Sequence, residues 1–225
     1  GRPPDFEPPA GAEYHSRVKR HASEGLSGRR SGRLNPRRHK PHRKGMQRMA
    51  TVIVSAARTP FGRFGGALKD VPAVELGAWA IRAVCSRAAL QPDERDHVIL
   101  GHCVGGGVGQ VPARQAALRA RLPVAVHAMA LNTACTSALN AVIWGDLLIQ
   151  SGRARFIIAG GMENMSQSPY ILPRARWGYR LGDGPLVDDL TASLTCPLGG
   201  KHMGDYANDA ARAYGVTRAM QDEWA

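Results

Sequence analysis

The sequence contains no apolar run of about 18 residues or more, so no membrane-spanning helix is expected. Its four cysteines, Cys85, Cys103, Cys135 and Cys196, form no C-x-x-C pair and show no metal-ligand spacing. Zinc is therefore not expected, and neither is a disulfide framework. A reducing compartment, the cytoplasm, is the default location. Acidic residues are scarce, 18 against 30 Lys and Arg, for a net charge of +12. That excess is localised: residues 1–49 hold 13 Lys/Arg against 4 Asp/Glu, and residues 50–225 hold 17 against 14. The densest run, Arg29 to Arg48, has almost no apolar residues and cannot offset its ordering entropy, so residues 1–49 are expected to be a basic disordered extension. No aromatic residue interleaves with that run. It offers no base-stacking platform, and no nucleic-acid partner is expected. The extension reads as sequence ahead of a start at Met46 or Met49. The alternatives are an Arg-rich mitochondrial targeting segment, which Asp5, Glu7, Glu13 and several prolines weaken, and a basic arm that attracts nucleic acid or an anionic membrane.

The stretch from Leu131 to Val142 stands out: an apolar strand-like segment, Val126 to Leu131, then Asn132-Thr133-Ala134-Cys135-Thr136-Ser137, then a run of helix formers from Ala138 to Ile149. A cysteine placed where a strand turns into the first turn of a helix faces free N–H groups and the positive end of the dipole, which favour a thiolate. The helix is apolar on nearly every side, which predicts burial on more than one face.

Around this stretch, β-branched and apolar runs predict strands at Thr51–Ser55, His97–Gly101, Val126–Leu131 and Arg155–Gly160. Helical patterns fill Pro72–Leu90, Pro112–Arg121 (proline in its first turn) and Asp205–Tyr214. Strands alternating with helices imply parallel pairing in an α/β layered fold. The cluster Gly105-Gly106-Gly107-Val108-Gly109 has neither the Gly-Lys-Ser/Thr ending of a phosphate loop nor a dinucleotide fingerprint. A tight loop of closely approaching backbones fits it better.

Four segments carry a family resemblance. Ile53-Val-Ser-Ala-Ala-Arg-Thr-Pro-Phe-Gly-Arg-Phe-Gly-Gly-Ala-Leu-Lys69 resembles the opening of a thiolase. So do Gly109-Gln-Val-Pro-Ala-Arg-Gln-Ala-Ala117, Ala159-Gly-Gly-Met-Glu-Asn-Met-Ser-Gln-Ser-Pro-Tyr170 and Arg176-Trp-Gly-Tyr-Arg-Leu-Gly-Asp-Gly184. The likeness runs from about Thr51 to Ala225. It implies a thiolase-like layered α/β fold of two stacked halves. Residues 50–165 would be the N-terminal core, a mixed sheet with a buried nucleophile helix. Residues 166–225 would be the start of the loop region, cut short. It also implies that Cys135 is the nucleophile attacking an acyl-CoA thioester. Leu194, His202 and Met203, around Gly200-Lys-His-Met-Gly204, match residues lining the pantetheine and acyl pocket. The substrates would be acyl-CoA and coenzyme A, with no cofactor, and the whole enzyme a homodimer or homotetramer acting in acyl-CoA metabolism.

Two departures qualify what the resemblance implies. Thr136 stands where the family usually has a small residue, so it is expected to narrow the acyl pocket or shift the Cys135 N–H. It also makes a ketoacyl synthase one alternative, beside a non-catalytic chain that binds acyl-CoA or a partner. In addition, nothing here matches the family's later histidine (in a Gly-His-Pro context), its asparagine or its second cysteine, so the chain is expected to be roughly the first half of such a protein. The magnitudes make this matter. An unperturbed cysteine has a pKa of about 8.5, and a helix N-terminus contributes ~0.3–1 kcal/mol against 1.36 kcal/mol per pKa unit. A paired base must do the rest. His97, His102, His127 and His202 are the local candidates, and the resemblance nominates none of them as that base. The expectation is therefore an acetyl-CoA C-acetyltransferase or acyltransferase forming or cleaving short 3-oxoacyl-CoA such as acetoacetyl-CoA. This chain alone would show at most a slow acylation half-reaction and would self-associate, or be poorly soluble, through the uncovered side of its cysteine helix.

Overall fold

The computed structural model describes residues 50–89, 91 and 95–225; the basic extension at 1–49 lies outside the described residues. Parallel pairing joins three strands in the order β2-β1-β3, where β1 is His97–Gly101, β2 is His127–Leu131 and β3 is Ile157–Gly161. Helix α1 (Ala73–Ala88) precedes β1, α2 (Pro112–Arg119) connects β1 to β2, and α3 (Ser137–Gln150) connects β2 to β3. A two-stranded antiparallel pair follows, β4 (Tyr170–Ile171) with β5 (Val187–Asp188), then α4 (Asp189–Ser193), α5 (Met203–Ala213) and α6 (Arg218–Trp224). Among the described residues no helix is long and apolar enough to cross a membrane.

The two-residue period of a strand sorts the layers. Val98 and Leu100 point into a core formed with α1 and α2, through Ala73, Val74, Ala78 and Ile81 of the first and Ala113, Ala116 and Ala117 of the second. Small residues on α2 allow α1 to lie close to it. The opposite face of the sheet, with Ile157 and Ala159, receives α3 at Gly145. Arg114 of α2 ties its helix to the entry of β2, donating to the Val126 carbonyl at 2.5 Å and to the Val124 carbonyl at 2.7 Å. The glycine cluster is the tight loop its composition suggests. A Cβ on Gly106 would sit 2.6 Å from Asp189 Oδ2 and 2.7 Å from Pro169 Cγ, so only glycine lets this loop lie against the segment that begins α4.

Two expectations are corrected. Thr51–Ser55 forms no strand. Val52, Ile53 and Val54 are exposed, and the segment shares with β3 the walls of a largely apolar cavity of about 380 Å³. A β-branched run becomes a strand only where a neighbour's N–H and C=O groups come within about 4.8 Å, and here a cavity intervenes. The cysteine helix, for its part, is buried on one side rather than all round. Ser137, Ala141 and Gly145 face the sheet, whereas Leu139, Val142, Ile143, Trp144 and Leu147 are between 43% and 62% exposed. An apolar pattern reports what a helix can bury, and nothing among the described residues covers this outer face.

Asp96 fastens the start of the sheet. Its Oδ2 accepts from Arg155 N at 2.6 Å and from Phe156 N at 3.1 Å, while its own backbone bonds to Phe156 and His127. The Arg155 N–H bond is the main reason its carboxyl titrates below the ordinary range. An acid held low in the folded state stabilises it above the unfolded pKa, and that contribution disappears as pH falls through the folded value. Urea midpoints should therefore decline as pH drops below about 4, and Asp96→Asn should flatten that slope; an unchanged slope in the variant would show that other carboxylates set it.

Candidate active site around Cys135

Cys135 is exposed and lies just before the N-cap residue, Thr136, of α3. The turn that carries it contains Ala134 with φ +52°, a left-handed conformation that a residue with a Cβ adopts at a cost of about 1 kcal/mol. Three side chains hold that strained residue. Asn132 Oδ1 accepts from Ala134 N at 3.0 Å, Ser137 Oγ donates to Ala134 O at 2.5 Å, and Cys103 Sγ donates to the same oxygen at 2.8 Å. Asn132 spans two segments, since its Nδ2 also donates to the Cys103 carbonyl at 2.9 Å. Ser137 Oγ accepts from Thr133 N at 2.9 Å. The cysteine turn is thereby laced to the segment leaving β1.

The backbone approaches closely below it. A Cβ on Gly101 would lie 2.5 Å from Ala138 N and from Ser137 C, and one on Gly161 would lie 2.8 Å from Ala138 Cβ. The first turn of α3 rests directly on the C-terminal ends of β1 and β3. Ser137 and Ala138 of that turn line a cavity of about 760 Å³. Cys135, Cys103 and Ser137 line this cavity, together with Arg58–Phe64 and Met162–Ser166 from two of the segments that carry the family likeness. Those two segments are knitted together by Asn164 Nδ2, which donates to Leu68 O at 3.0 Å and Val71 O at 2.7 Å, and by Gly65 N, which donates to Ser166 Oγ at 3.0 Å. Glu163 Oε2 accepts from Cys103 N at 2.8 Å and from Val104 N at 3.3 Å.

The four candidate histidines do not gather at Cys135. His97 and His127 stack at 5.4 Å on the first residues of β1 and β2, about 13 Å of strand from the end that leads to Cys135. His102 is buried, and its Nε2 lies 3.3 Å from Glu163 Oε1 without the alignment of a hydrogen bond. His202 caps α5, its Nδ1 accepting from Gly204 N at 3.0 Å. Among the described residues no histidine lines the cavity that Cys135 lines. Leu194, His202 and Met203 are brought together with each other, Met203 N donating to Leu194 O at 2.8 Å, and they stand outside that cavity. Thr136 likewise does not line it: its hydroxyl turns back to Thr133 O at 2.8 Å and meets Asn140 Nδ2 at 3.3 Å. Thr136 therefore does not narrow this cavity. Asn132, Ser137, Glu163 and Cys103 were not singled out by the sequence. Glu163 sat inside a specific motif, and Asn132 and Ser137 flanked the cysteine; only Cys103 carried no signal. Among the described residues no group of three His, Cys, Asp or Glu side chains could hold a metal ion.

Gly101→Ala would force a methyl group onto the backbone of Ser137 and Ala138. It should cost about 1–3 kcal/mol in urea denaturation and slow the alkylation of Cys135 by iodoacetamide; wild-type stability and wild-type alkylation would show that the close contact is not needed.

Comparison with known proteins agrees with this architecture. Residues 51–225 match the family model described as thiolase, N-terminal domain. Over 175 residues the chain is 47% identical to an acetyl-CoA acetyltransferase of Cupriavidus necator, covering 77% of this chain and 44% of that relative. It is also 47% identical over 176 residues to the Escherichia coli acetyl-CoA acetyltransferase, covering 77% and 45%. The crystal structure of the Bacillus anthracis acetyl-CoA acetyltransferase superimposes with a TM-score of 0.73 at 40% identity, covering 76% of this chain and 44% of that one. The chain thus spans a little under half the length of these relatives. Over that span, in sequence and in the strand–turn–helix that carries Cys135, it belongs to the thiolase family.

Proposed function

We propose that this chain supplies the nucleophile-bearing half of an acyl-CoA acyltransferase that forms or cleaves short 3-oxoacyl-CoA such as acetoacetyl-CoA. The observation that carries the proposal is the position of Cys135: exposed, at the mouth of α3, on the wall of a cavity lined by two of the family-specific segments. In this reading the Cys135 sulfur attacks the thioester carbonyl, the C–S bond to coenzyme A breaks, and coenzyme A leaves as the thiol while the acyl group stays on Cys135. The N–H groups at the start of α3 face the carbonyl oxygen as negative charge develops on it. Leu194, His202 and Met203 are assigned to the pantetheine and acyl pocket, which a chain of full relative length would bring to Cys135.

The base for the second, carbon–carbon step is assigned to the part of the relatives' length that this chain does not span, because among the described residues no histidine lines the Cys135 cavity. Coenzyme A thioesters are substrates, and no cofactor enters the chemistry. The whole protein is proposed to be a cytoplasmic homodimer or homotetramer. The division into an extension at 1–49, a core at 50–165 and a loop region from 166 belongs to the same proposal.

Incubation with acetyl-CoA followed by intact-mass and peptide analysis tests it. The expected result is one acetyl group on Cys135, none in Cys135→Ala, and negligible steady turnover of acetoacetyl-CoA with coenzyme A. Equal labelling of the Cys135→Ala chain would overturn the assignment, and absence of any label in either would favour a chain that only binds acyl-CoA.

A further inference from the structure

Cys103 is a thiol that the proposed acyl transfer does not use, yet it is built into the same turn. Its Sγ lies 2.8 Å from the carbonyl oxygen of Ala134, the oxygen of the peptide unit that leads into Cys135. Bond lengths place that oxygen about 2.8 Å from Cys135 Cα, so the Cys103 sulfur is within about 6 Å of that Cα. Both thiols line the 760 Å³ cavity. The two segments that carry them are fixed to each other by the Asn132 amide, which bonds to Cys103 O and to Ala134 N, and Glu163 holds Cys103 N from the other side. All four cysteines are free, and neither Cys85, on α1, nor Cys196, after α4, lines the cavity.

We propose that Cys103 and Cys135 form a dithiol site at which a hydroperoxide closes an intramolecular disulfide. The proposal rests on the reading of Cys135 as the exposed nucleophile. The Cys135 thiolate attacks one peroxide oxygen; an S–O bond forms, the O–O bond breaks, and the departing hydroxide takes a proton and leaves as water. Cys103 then attacks the sulfenic sulfur, an S–S bond forms, the S–O bond breaks, and the second oxygen leaves as water with the Cys103 proton. Two thiols lose two electrons in total and one hydrogen peroxide is reduced to two waters. The roles follow from the surroundings. Cys135 is exposed, whereas burial pushes the Cys103 thiol up. Cys103 is therefore the resolving partner rather than the first to react. The two backbone segments that carry the thiols are already held together by the Asn132 amide. The disulfide would protect the nucleophile from sulfinic acid while blocking acylation.

The test treats the full 225-residue chain with hydrogen peroxide and maps its peptides without reduction. The expected product is a Cys103-containing peptide joined to a Cys135-containing peptide, lower by two hydrogens, with iodoacetamide labelling of Cys135 restored by dithiothreitol. In Cys103→Ala and in the more conservative Cys103→Ser, that recovery should be lost as Cys135 proceeds to sulfinic acid. A Cys135 bridge to Cys85, to Cys196 or to a second copy would overturn the proposal, as would equal recovery in wild type and both variants. Acetylation of Cys135 by acetyl-CoA is measured on untreated chain. A failed disulfide with intact acetylation then counts against the dithiol site alone, and a failed acetylation with an intact disulfide counts against the acyl-transfer reading alone.

Discussion

Everything the site does depends on how closely the first turn of α3 seats against the ends of β1 and β3. At Gly101 a single added carbon would come within 2.5 Å of the backbone of Ser137 and Ala138, and Gly161 is nearly as tight against Ala138. Two side-chain-free positions on neighbouring strands let a helix start almost on top of the sheet. With the helix there, the turn before it must reverse sharply within a few residues, and Ala134 takes the left-handed conformation that this requires. The strain is held locally: Asn132, Ser137 and Cys103 all bond to the backbone of Ala134. Cys135 therefore projects from an over-determined turn, and its direction is fixed by contacts that do not involve its own side chain.

The same seating explains why the surrounding motifs are so specific. The opening segment and the Gly161-Met-Glu-Asn-Met-Ser166 segment reach across the C-terminal end of the sheet and bond to each other through Asn164 and Ser166. Past Gly161, the last residue of β3, neither runs as a regular strand, so their geometry is set by particular side chains rather than by a repeating backbone pattern. Glu163 serves both the loop after β1, through the amides of Cys103 and Val104, and the buried His102. The wall of the cavity and the support of the cysteine turn are thus one hydrogen-bonded construction.

Much of this was legible in the sequence, and what was not has physical reasons. The sequence predicts both ends of β1, because Val98-Ile99-Leu100 is a short apolar run that the fold buries on both faces. The cysteine helix was read to within a residue at either end, because its run of helix formers leaves no other option. Its environment is not legible there: periodicity reports which sides of α3 are apolar, not which are covered, and among the described residues the Ser137–Ala141–Gly145 side is the covered one. Thr51–Ser55 failed for the related reason that strand identity belongs to a pair of segments, and its neighbour lies across a cavity. The two-residue strands β4 and β5 were beyond any periodicity argument. Cys135 itself could be placed from local order alone, strand then turn then helix. The resemblance supplied Leu194, His202 and Met203, which adjoin one another but not the Cys135 cavity. Cys103 had no signal because its meaning comes from a hydrogen bond to a residue 31 positions away.

The central claim is that the fold presents one cysteine, Cys135, to solvent on the wall of a cavity while the turn beneath it is held rigid. Competitive alkylation of the native chain, with each cysteine quantified by mass spectrometry over time, measures this directly. The account predicts that Cys135 reacts first and that Cys103 and Cys85 follow much more slowly. Modification of Cys135 only after the chain is unfolded in urea would contradict it.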